Sequence, residues 1–196
     1  GKDQTVDKNI YVKTTNDRLN FFSNPKISAW NLPKILDDRR DPYFLIGFPR
    51  SGTTLLDNIL RGHKKIKVLE EFPILSEIEL IIQKKFGCEI KNIYSLKEEQ
   101  LIHLRNEYYK LVNQKIDNDK GTSLIIDKLP LHTIRLPLIN LLFPDSKIIF
   151  ACRHPYDQVL SCFQQVFQPN YAMANLVSLE DSSIFYDKVM SAWKNY

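Results

Sequence analysis

The sequence predicts an α/β domain in which helices cover both faces of a parallel sheet. Four short apolar runs have the length and the β-branched content of buried strands, and segments with helical spacing of apolar residues separate them. This alternation is typical of parallel sheets, because each parallel pair of strands needs a crossover connection. The predicted strands cover residues 43–47, 66–69, 123–127 and 147–152.

Local signals place the helices between these strands. The first helix is predicted over residues 53–60, from the spacing of its leucines and isoleucine. Pro73 opens a second helix to Lys85, since proline is accommodated in a first helical turn. Ser95-Leu96-Lys97-Glu98 is interpreted as a capping box that opens a third helix to about residue 116. Further helices are expected before and after the fourth strand.

Length and composition limit the class of protein. The chain has 196 residues, 43% of them hydrophobic, which is enough for one domain with a real core. A net charge of +4 argues against a dedicated nucleic-acid binder but permits a basic pocket for a small anion. No apolar run approaches the roughly 20 residues of a membrane span. Three cysteines without metal-ligand spacing favour a reducing, cytoplasmic setting.

The chain divides into two regions that differ in polarity and in the periodicity of their apolar residues. Residues 1–41 are polar and weakly periodic and end in a charged run, so we expect an N-terminal arm or the remnant of an upstream module. Residues 42–196 carry all the predicted strands and are expected to form the functional core.

Charged residues follow each predicted strand. Ligands of open parallel sheets bind beyond the carboxyl ends of the strands, so this edge is the expected site. A solvated strand end would explain any one of these charges, but it explains all of them less well. The charged residues are Arg50, Glu70, Glu71, Asp127, Lys128 and Arg153.

The segment 47–54, Gly-Phe-Pro-Arg-Ser-Gly-Thr-Thr, predicts a phosphate-binding loop between the first strand and its helix. Its glycines have the spacing of a P-loop, but Thr53 stands where that motif requires lysine. Backbone N–H groups and the hydroxyls of Ser51, Thr53 and Thr54 can still surround a phosphate, and Arg50 supplies positive charge. The alternative is an ordinary glycine turn capped by Ser51 or Thr53.

This loop resembles the 5′-phosphosulfate loop of sulfotransferases that use 3′-phosphoadenosine 5′-phosphosulfate (PAPS). A second segment, Arg153-His154-Pro155-Tyr156-Asp157-Gln158-Val159-Leu160-Ser161, resembles the family's 3′-phosphate site, an arginine with a serine eight residues on. Arg153 can contact a phosphate with two N–H groups, and Ser161 lies on the second turn of the predicted helix. A surface arginine and a buried helical serine would be the ordinary explanation of this segment alone.

The resemblance is nearest to tyrosylprotein sulfotransferases and to bacterial sulfotransferases with tetratricopeptide repeats. It covers residues 43–193 and is supported by Val68-Leu69-Glu70-Glu71 and Asp127-Lys128-Leu129-Pro130. In such enzymes a further segment covers the adenine and the 3′-phosphate, so the sequence is expected to lack its C-terminal part. The implied fold is a P-loop-type parallel sheet flanked by helices.

The resemblance implies transfer of a sulfuryl group from PAPS to a hydroxyl acceptor of unknown class, without a metal ion. Glu71, 21 residues after Arg50, matches the catalytic base, while the adjacent Glu70 should point elsewhere in an extended segment. Lys128 would support the leaving group together with Arg50. The donor-binding residues would be Arg50, Ser51, Gly52, Thr53, Thr54, Arg153 and Ser161.

Ordinary explanations stay open for these residues. Glu71 could cap the next helix, Lys128 could face solvent, and Asp127 could orient Lys128 or the loop. His63 and His132 are weak alternatives for the base.

Two departures and two rival functions qualify the resemblance. Gln165 stands where tyrosylprotein sulfotransferases have a second arginine, and Phe72-Pro73 replaces a substrate-contacting arginine, so peptidyl tyrosine is in doubt as the acceptor.

A nucleotide kinase or NTPase with a degenerate loop would need a Mg²⁺ ligand, for which Asp127 is the candidate. The other rival is a non-catalytic domain that binds a nucleotide or anion. Nucleic acid is not an expected partner, and the oligomeric state is not readable.

Overall fold

The computed structural model describes residues 8–22, 38–116, 124–165, 167 and 172–195. Its centre is a four-stranded sheet of order β2-β3-β1-β4 in which every paired strand is parallel. The predicted α/β class is therefore confirmed, and each strand starts and ends within a residue or two of its predicted position. The strands are β1 (Tyr43–Gly47), β2 (Ile66–Glu70), β3 (Leu124–Lys128) and β4 (Ile148–Ala151).

Seven α-helices are described along the chain: α1 (Lys8–Phe22), α2 (Thr53–Arg61), α3 (Ile74–Phe86), α4 (Glu98–Lys115), α5 (Leu136–Leu142), α6 (Pro155–Phe163) and α7 (Leu179–Asn195). Short 3-10 helices cover Ile90–Ser95, Pro130–Arg135 and Met173–Leu176. Helix α2 follows β1 directly and α6 follows β4, so both begin at the carboxyl edge of the sheet.

The predicted capping box at Ser95 is wrong. The Ser95 hydroxyl donates to the Asn92 carbonyl at 2.8 Å and so closes the preceding 3-10 helix instead of opening α4. Helix α4 begins at Glu98, and the backbone N–H of Lys97 donates to Gln100 Oε1 at 2.8 Å. The glutamine side chain therefore supplies the reciprocal half of a cap two residues later than expected.

The side chains of β1 alternate between two apolar layers, one on each face of the sheet. Phe44 and Ile46 pack with the cluster built by α3, α4 and α5, whereas Leu45 packs with Val68, Ile126 and the inner side of α2. Successive strand residues point to opposite faces, and here both faces are covered by helices. A third cluster around Phe48 joins the loop after β1 to α6 and α7.

Helix α1 lies within residues 1–41, the segment predicted to be an arm or the remnant of an upstream module. It packs against α7, with Thr15 fully buried and Arg18 nearly so. Arg18 Nη1 lies 2.7 Å from Glu79 Oε1 on α3 and donates to the Ile134 carbonyl at 3.3 Å. The polar character of this segment therefore includes buried ionic contacts, while a domain division at residues 41 and 42 stays a prediction.

Across the described ranges, no helix combines the length and the apolar character required to cross a membrane.

Candidate functional site

The carboxyl ends of the four strands meet along one edge of the sheet. Gly47 pairs with Ala151 and Glu70 pairs with Lys128, so the segments that follow the strands are brought side by side. A cleft of about 670 Å³ opens at this edge. Its lining residues are Pro49, Arg50, Gly52, Thr53, Thr54, Glu71, Leu129, Pro130, Leu131, Arg153, Gln165, Phe167 and Met173.

Hydrogen bonds from neighbouring elements fix the loop after β1. Thr133 Oγ1 donates to the Gly47 carbonyl at 2.6 Å, and Gln158 Nε2 donates to the carbonyls of Phe48 and Pro49 at 3.0 and 3.1 Å. Position 47 has to be glycine, because a Cβ there would lie 2.7 Å from the Ala151 carbonyl oxygen. These contacts hold the first turn of α2 against the cleft, an arrangement suited to an anion.

The loop hydroxyls do not all face the cleft. Thr53 and Thr54 line it, but the Ser51 hydroxyl is buried beneath the loop beside Gly47. Within the described part of the chain Ser51 Oγ has no hydrogen-bond partner. Of the three hydroxyl groups predicted to contact a phosphate, the Ser51 hydroxyl is therefore buried under the loop, whereas Thr53 and Thr54 line the cleft.

The two predicted phosphate motifs contact one another. Arg50 Nε donates to Ser161 Oγ at 3.1 Å, and Arg153 Nη1 donates to the Arg50 carbonyl at 3.3 Å. Cys162 lies beside them, where burial raises the pKa of its thiol to about 12 although the charges of Arg50 and Arg153 act in the opposite direction. Residues more than a hundred positions apart in the sequence therefore form one basic corner of the cleft.

Lys128 and Glu71 form an ion pair at the other side of the loop. Lys128 Nζ donates to Glu71 Oε1 at 2.9 Å, and the Glu71 N–H donates to the Lys128 carbonyl at 2.8 Å. The Lys128 side chain is fully buried, whereas the Glu71 side chain is 53% exposed. Lys128 is therefore not a solvent-facing lysine, and Glu71 does not cap α3, whose N-cap is Pro73.

Glu70, unlike Glu71, does not line the cleft, but its carboxylate is not turned away from Lys128. Glu70 Oε1 lies 3.6 Å from Lys128 Nζ, and Glu70 Oε2 accepts from Arg61 Nη2 at 2.8 Å. The reason is the backbone of Glu71, whose φ of 57° breaks the extended conformation that would have alternated the two side chains. Both carboxylates consequently reach the same ammonium group.

Backbone strain coincides with two predicted site residues. Within the described ranges the non-glycine residues with positive φ are Arg50, at 66°, and Glu71, at 57°. The left-handed conformation costs a side-chain-bearing residue about 1–2 kcal/mol, and such strain concentrates at functional sites. Both residues line the cleft.

Sequence reasoning missed Asp57 and Arg61 on α2. Asp57 is fully buried, lies 3.6 Å from Lys128 Nζ through Oδ2, and accepts hydrogen bonds from Arg61 Nε and Nη2. The sequence signal was an acidic residue on the side of α2 that also carries Thr53, Leu56 and Leu60, which does not identify a partner on β3.

Asp127 and the two candidate histidines lie away from the cleft. Asp127 is fully buried, accepts from the Tyr108 hydroxyl at 2.9 Å and lies 3.2 Å from His132 Nε2. Burial, together with the Asp127 charge, raises the pKa of Tyr108 well above its usual value. His132 is also fully buried, and His63 Nδ1 accepts from the Lys65 N–H in an exposed turn. Neither histidine lines the cleft.

No group of three or more His, Cys, Asp and Glu side chains suited to a metal ion occurs among the residues that the structure describes.

Comparisons with known proteins place the chain. A family model described as "Sulfotransferase family" matches residues 42–196. A curated relative, an uncharacterized protein of Aquifex aeolicus (strain VF5), is 33% identical over 132 residues, and the match covers 64% of this chain but only 17% of that protein. The crystal structure of sulfotransferase STF9 from Mycobacterium avium is similar at a TM-score of 0.34 and 14% identity, covering 76% of this chain and 52% of that one. The family model matches more than half of the length of this chain, so the chain belongs to the sulfotransferase family.

Proposed function

We propose that this chain carries the donor-binding core of an enzyme that transfers a sulfuryl group from PAPS to an acceptor hydroxyl. The observation that carries the proposal is the hydrogen bond between Arg50 and Ser161. It joins the loop after β1 to the Arg153–Ser161 motif, and the sequence predicts these two segments to be the 5′ and 3′ anion sites of one donor. PAPS carries a 5′-phosphosulfate and a 3′-phosphate, so its binding requires a 5′ site and a 3′ site in one cleft.

The polar side of the cleft is suited to those anionic groups. Arg50 and Arg153 supply charge, and the hydroxyls of Thr53 and Thr54 lie at the start of α2, where the helix dipole favours an anion. The buried Ser51 hydroxyl lies beneath the loop, so the two threonines are the hydroxyl contacts proposed for the 5′-phosphosulfate.

The proposed reaction is an in-line displacement at sulfur. The acceptor oxygen forms a bond to sulfur as the bond from sulfur to the bridging phosphate oxygen breaks, and the acceptor proton passes to the Glu71 carboxylate. Negative charge on the departing bisphosphate is offset by Arg50 and Lys128. The 2.9 Å distance from Lys128 Nζ to Glu71 Oε1 supports this proposal, because the proposed base and the cation proposed to stabilise the leaving group are neighbours.

The kinase alternative has less support from the site. Its candidate Mg²⁺ ligand, Asp127, is fully buried between Tyr108 and His132 and does not line the cleft. A non-catalytic anion-binding domain stays distinguishable by the assays below, and the acceptor class stays open.

We expect 3′,5′-adenosine bisphosphate to stabilise the protein selectively. At a hundredfold excess over its dissociation constant a ligand of the native state adds about 2.7 kcal/mol. For a chain of this size that corresponds to a rise in Tm of about 5–10 °C. The measurement is a thermal melt with the bisphosphate or with ATP and Mg²⁺, followed by transfer of labelled sulfuryl from PAPS to a panel of hydroxyl acceptors.

Matched arginine variants separate the site from general charge effects. Arg50→Ala and Arg153→Ala should lose most of the rise in Tm, whereas Arg39→Ala, which removes an arginine before β1 at the opposite edge of the sheet, should keep it. A larger rise with ATP and Mg²⁺ would favour the kinase. Bisphosphate binding without transfer to any acceptor would favour the non-catalytic domain.

We further propose that transfer needs no metal ion, as the sequence predicts. The sulfuryl group carries less charge than a phosphoryl group. Arg50 and Lys128 are available to offset the negative charge that develops on the leaving group. The rate of transfer should therefore change less than about twofold after exhaustive chelation with EDTA. A rate that falls upon chelation and returns with Mg²⁺ would contradict this prediction.

A reducing, cytoplasmic setting is also part of the proposal. It is supported by the three cysteines, Cys88, Cys152 and Cys162, which are all unpaired thiols.

A further inference from the structure

The ammonium group of Lys128 lies among three carboxylates, which is more than an ion pair needs. Glu71 Oε1 is 2.9 Å from Lys128 Nζ, while Asp57 Oδ2 and Glu70 Oε1 are each 3.6 Å away. The three differ in exposure: the side chains of Glu70 and Glu71 are 48% and 53% exposed, and that of Asp57 is fully buried. Asp57 is therefore the partner that solvent screens least.

Asp57 is also held in place independently of the reaction. Both of its oxygens accept hydrogen bonds from Arg61, four residues later on α2. Arg61 Nη2 additionally donates to Glu70 Oε2 at 2.8 Å, which ties α2 to the end of β2. The hydrogen bond with Asp57 and the charges of both carboxylates raise the pKa of Arg61 above its usual value, although burial acts in the opposite direction. An ordinary exposed i,i+4 pair would not bury its carboxylate against a lysine of β3.

The proposed reaction removes the nearest of these charges. When Glu71 accepts the proton of the acceptor hydroxyl, the Glu71 carboxylate becomes neutral. The fully buried Lys128 then loses the counter-charge that lies 2.9 Å away, at the moment when the Lys128 ammonium group is required to stabilise the leaving group. A buried ammonium without a counter-charge is strongly disfavoured. Glu70 is half exposed, so the remaining buried charge is that of Asp57.

We propose that Asp57 is a positioning residue, which holds the Lys128 ammonium group in place while Glu71 is neutral. This inference depends on the proposed sulfuryl transfer, because it is the proton transfer to Glu71 that makes a second carboxylate necessary. Neither Asp57 nor Lys128 lines the cleft, and Lys128 reaches its edge through the 2.9 Å contact with Glu71, so Asp57 acts through Lys128.

The test is Asp57→Asn in the full-length protein, which keeps the shape of the side chain and removes its charge. We expect kcat to fall roughly tenfold or more while KM for PAPS changes less than about threefold, since Lys128 acts in the transition state and not in donor binding. The matched control is Asp41→Asn, which removes another buried carboxylate, paired with Arg105 at 2.8 Å before β1. It should lower Tm to a similar extent and leave kcat unchanged.

A second comparison uses stability and does not depend on activity. If Asp57 holds Lys128, the loss of Tm in Asp57→Asn/Lys128→Met should be smaller than the sum of the losses in the two single variants. This applies even where Asp57→Asn alone is too unstable for kinetics, because the double variant buries no unpaired charge.

Unchanged kcat in Asp57→Asn, an equal loss of kcat in Asp41→Asn, or additive losses of Tm would each overturn the proposal. A wild-type protein that neither binds the bisphosphate nor transfers sulfuryl groups would instead disprove the proposed function. In that case the Tm comparison still decides whether Asp57 holds Lys128.

Discussion

Glu71→Gln is expected to lower kcat by about 10²–10⁴-fold, the usual contribution of a positioned general base. The amide keeps the shape of the side chain but cannot accept the acceptor proton. Donor binding should be close to normal, because the basic corner formed by Arg50, Arg153 and Ser161 is built without Glu71. The measurements are kcat for transfer from PAPS and the rise in Tm caused by 3′,5′-adenosine bisphosphate.

The neighbouring glutamate provides the control. Glu70→Gln removes an identical charge one residue earlier, but Glu70 is engaged by Arg61 and does not line the cleft, so kcat should fall only a few-fold. The reverse order of effects would assign the base to Glu70. Parallel loss of kcat and of bisphosphate binding in Glu71→Gln would show that Glu71 supports the structure of the site and is not its base.

Glu79→Gln is expected to destabilise the fold by about 3–5 kcal/mol, the usual consequence of removing one partner from a buried charge cluster. Glu79 is the buried carboxylate between two buried arginines, with Oε1 2.7 Å from Arg18 Nη1 and Oε2 3.3 Å from Arg135 Nε. The glutamine would remove the one charge that contacts both guanidinium groups through the two Glu79 oxygens. Thermal or urea unfolding at pH 7 measures the loss.

The contribution of Glu79 should depend on pH in a defined direction. Burial opposes ionisation of Glu79, but the charges of Arg135 and Arg18 outweigh it, so the pKa of the carboxyl lies below its ordinary value of 4.5. A depressed pKa stabilises the native state fully above the unfolded value, and this stabilisation is lost as pH falls through the native value. The difference in stability between wild type and Glu79→Gln should therefore be constant near neutral pH and become smaller below about pH 4.5.

An exposed pair serves as the comparison for this variant. Glu89→Gln removes the same charge from a contact with Lys91 in which both side chains are mostly exposed, so its effect on stability should be far smaller than that of Glu79→Gln. Wild-type stability in Glu79→Gln at pH 7 would show that Arg18 and Arg135 do not depend on Glu79. Helix α1 would then be held by its other contacts, which include the hydrogen bond from Lys188 Nζ to Asn16 Oδ1 at 2.9 Å.

The strands and the loop were predictable because their signals are local. A buried parallel strand appears as an apolar run, such as residues 43–47, and a P-loop-type turn appears as two glycines at a set spacing. The start of α4 was not predictable from Ser95, because two overlapping cap patterns compete there and the 3-10 turn at Asn92 takes the serine hydroxyl.

The residues of the candidate site were predictable as a set, but their arrangement was not. Arg50, Glu71 and Arg153 each follow a strand and Lys128 ends one, so a parallel sheet must bring them to one edge. Which side chain contacts which depends on backbone angles that no local pattern encodes. The left-handed φ of Glu71 directs both Glu70 and Glu71 to Lys128, against the alternation expected of an extended segment.

From residue 42 onward the sequence by itself therefore determined the alternation of strands and helices along the chain, the edge of the sheet that carries the site, and the types of residue present there. Only the tertiary structure decided the partners of the buried charges. Asp57 lies 3.6 Å from Lys128, and Arg18 lies 2.7 Å from Glu79, across long separations in sequence. The physical reason is that an ion pair is set by distance and burial, which arise when helices α1 and α2 pack, whereas a strand or a loop is set by neighbouring residues in the chain.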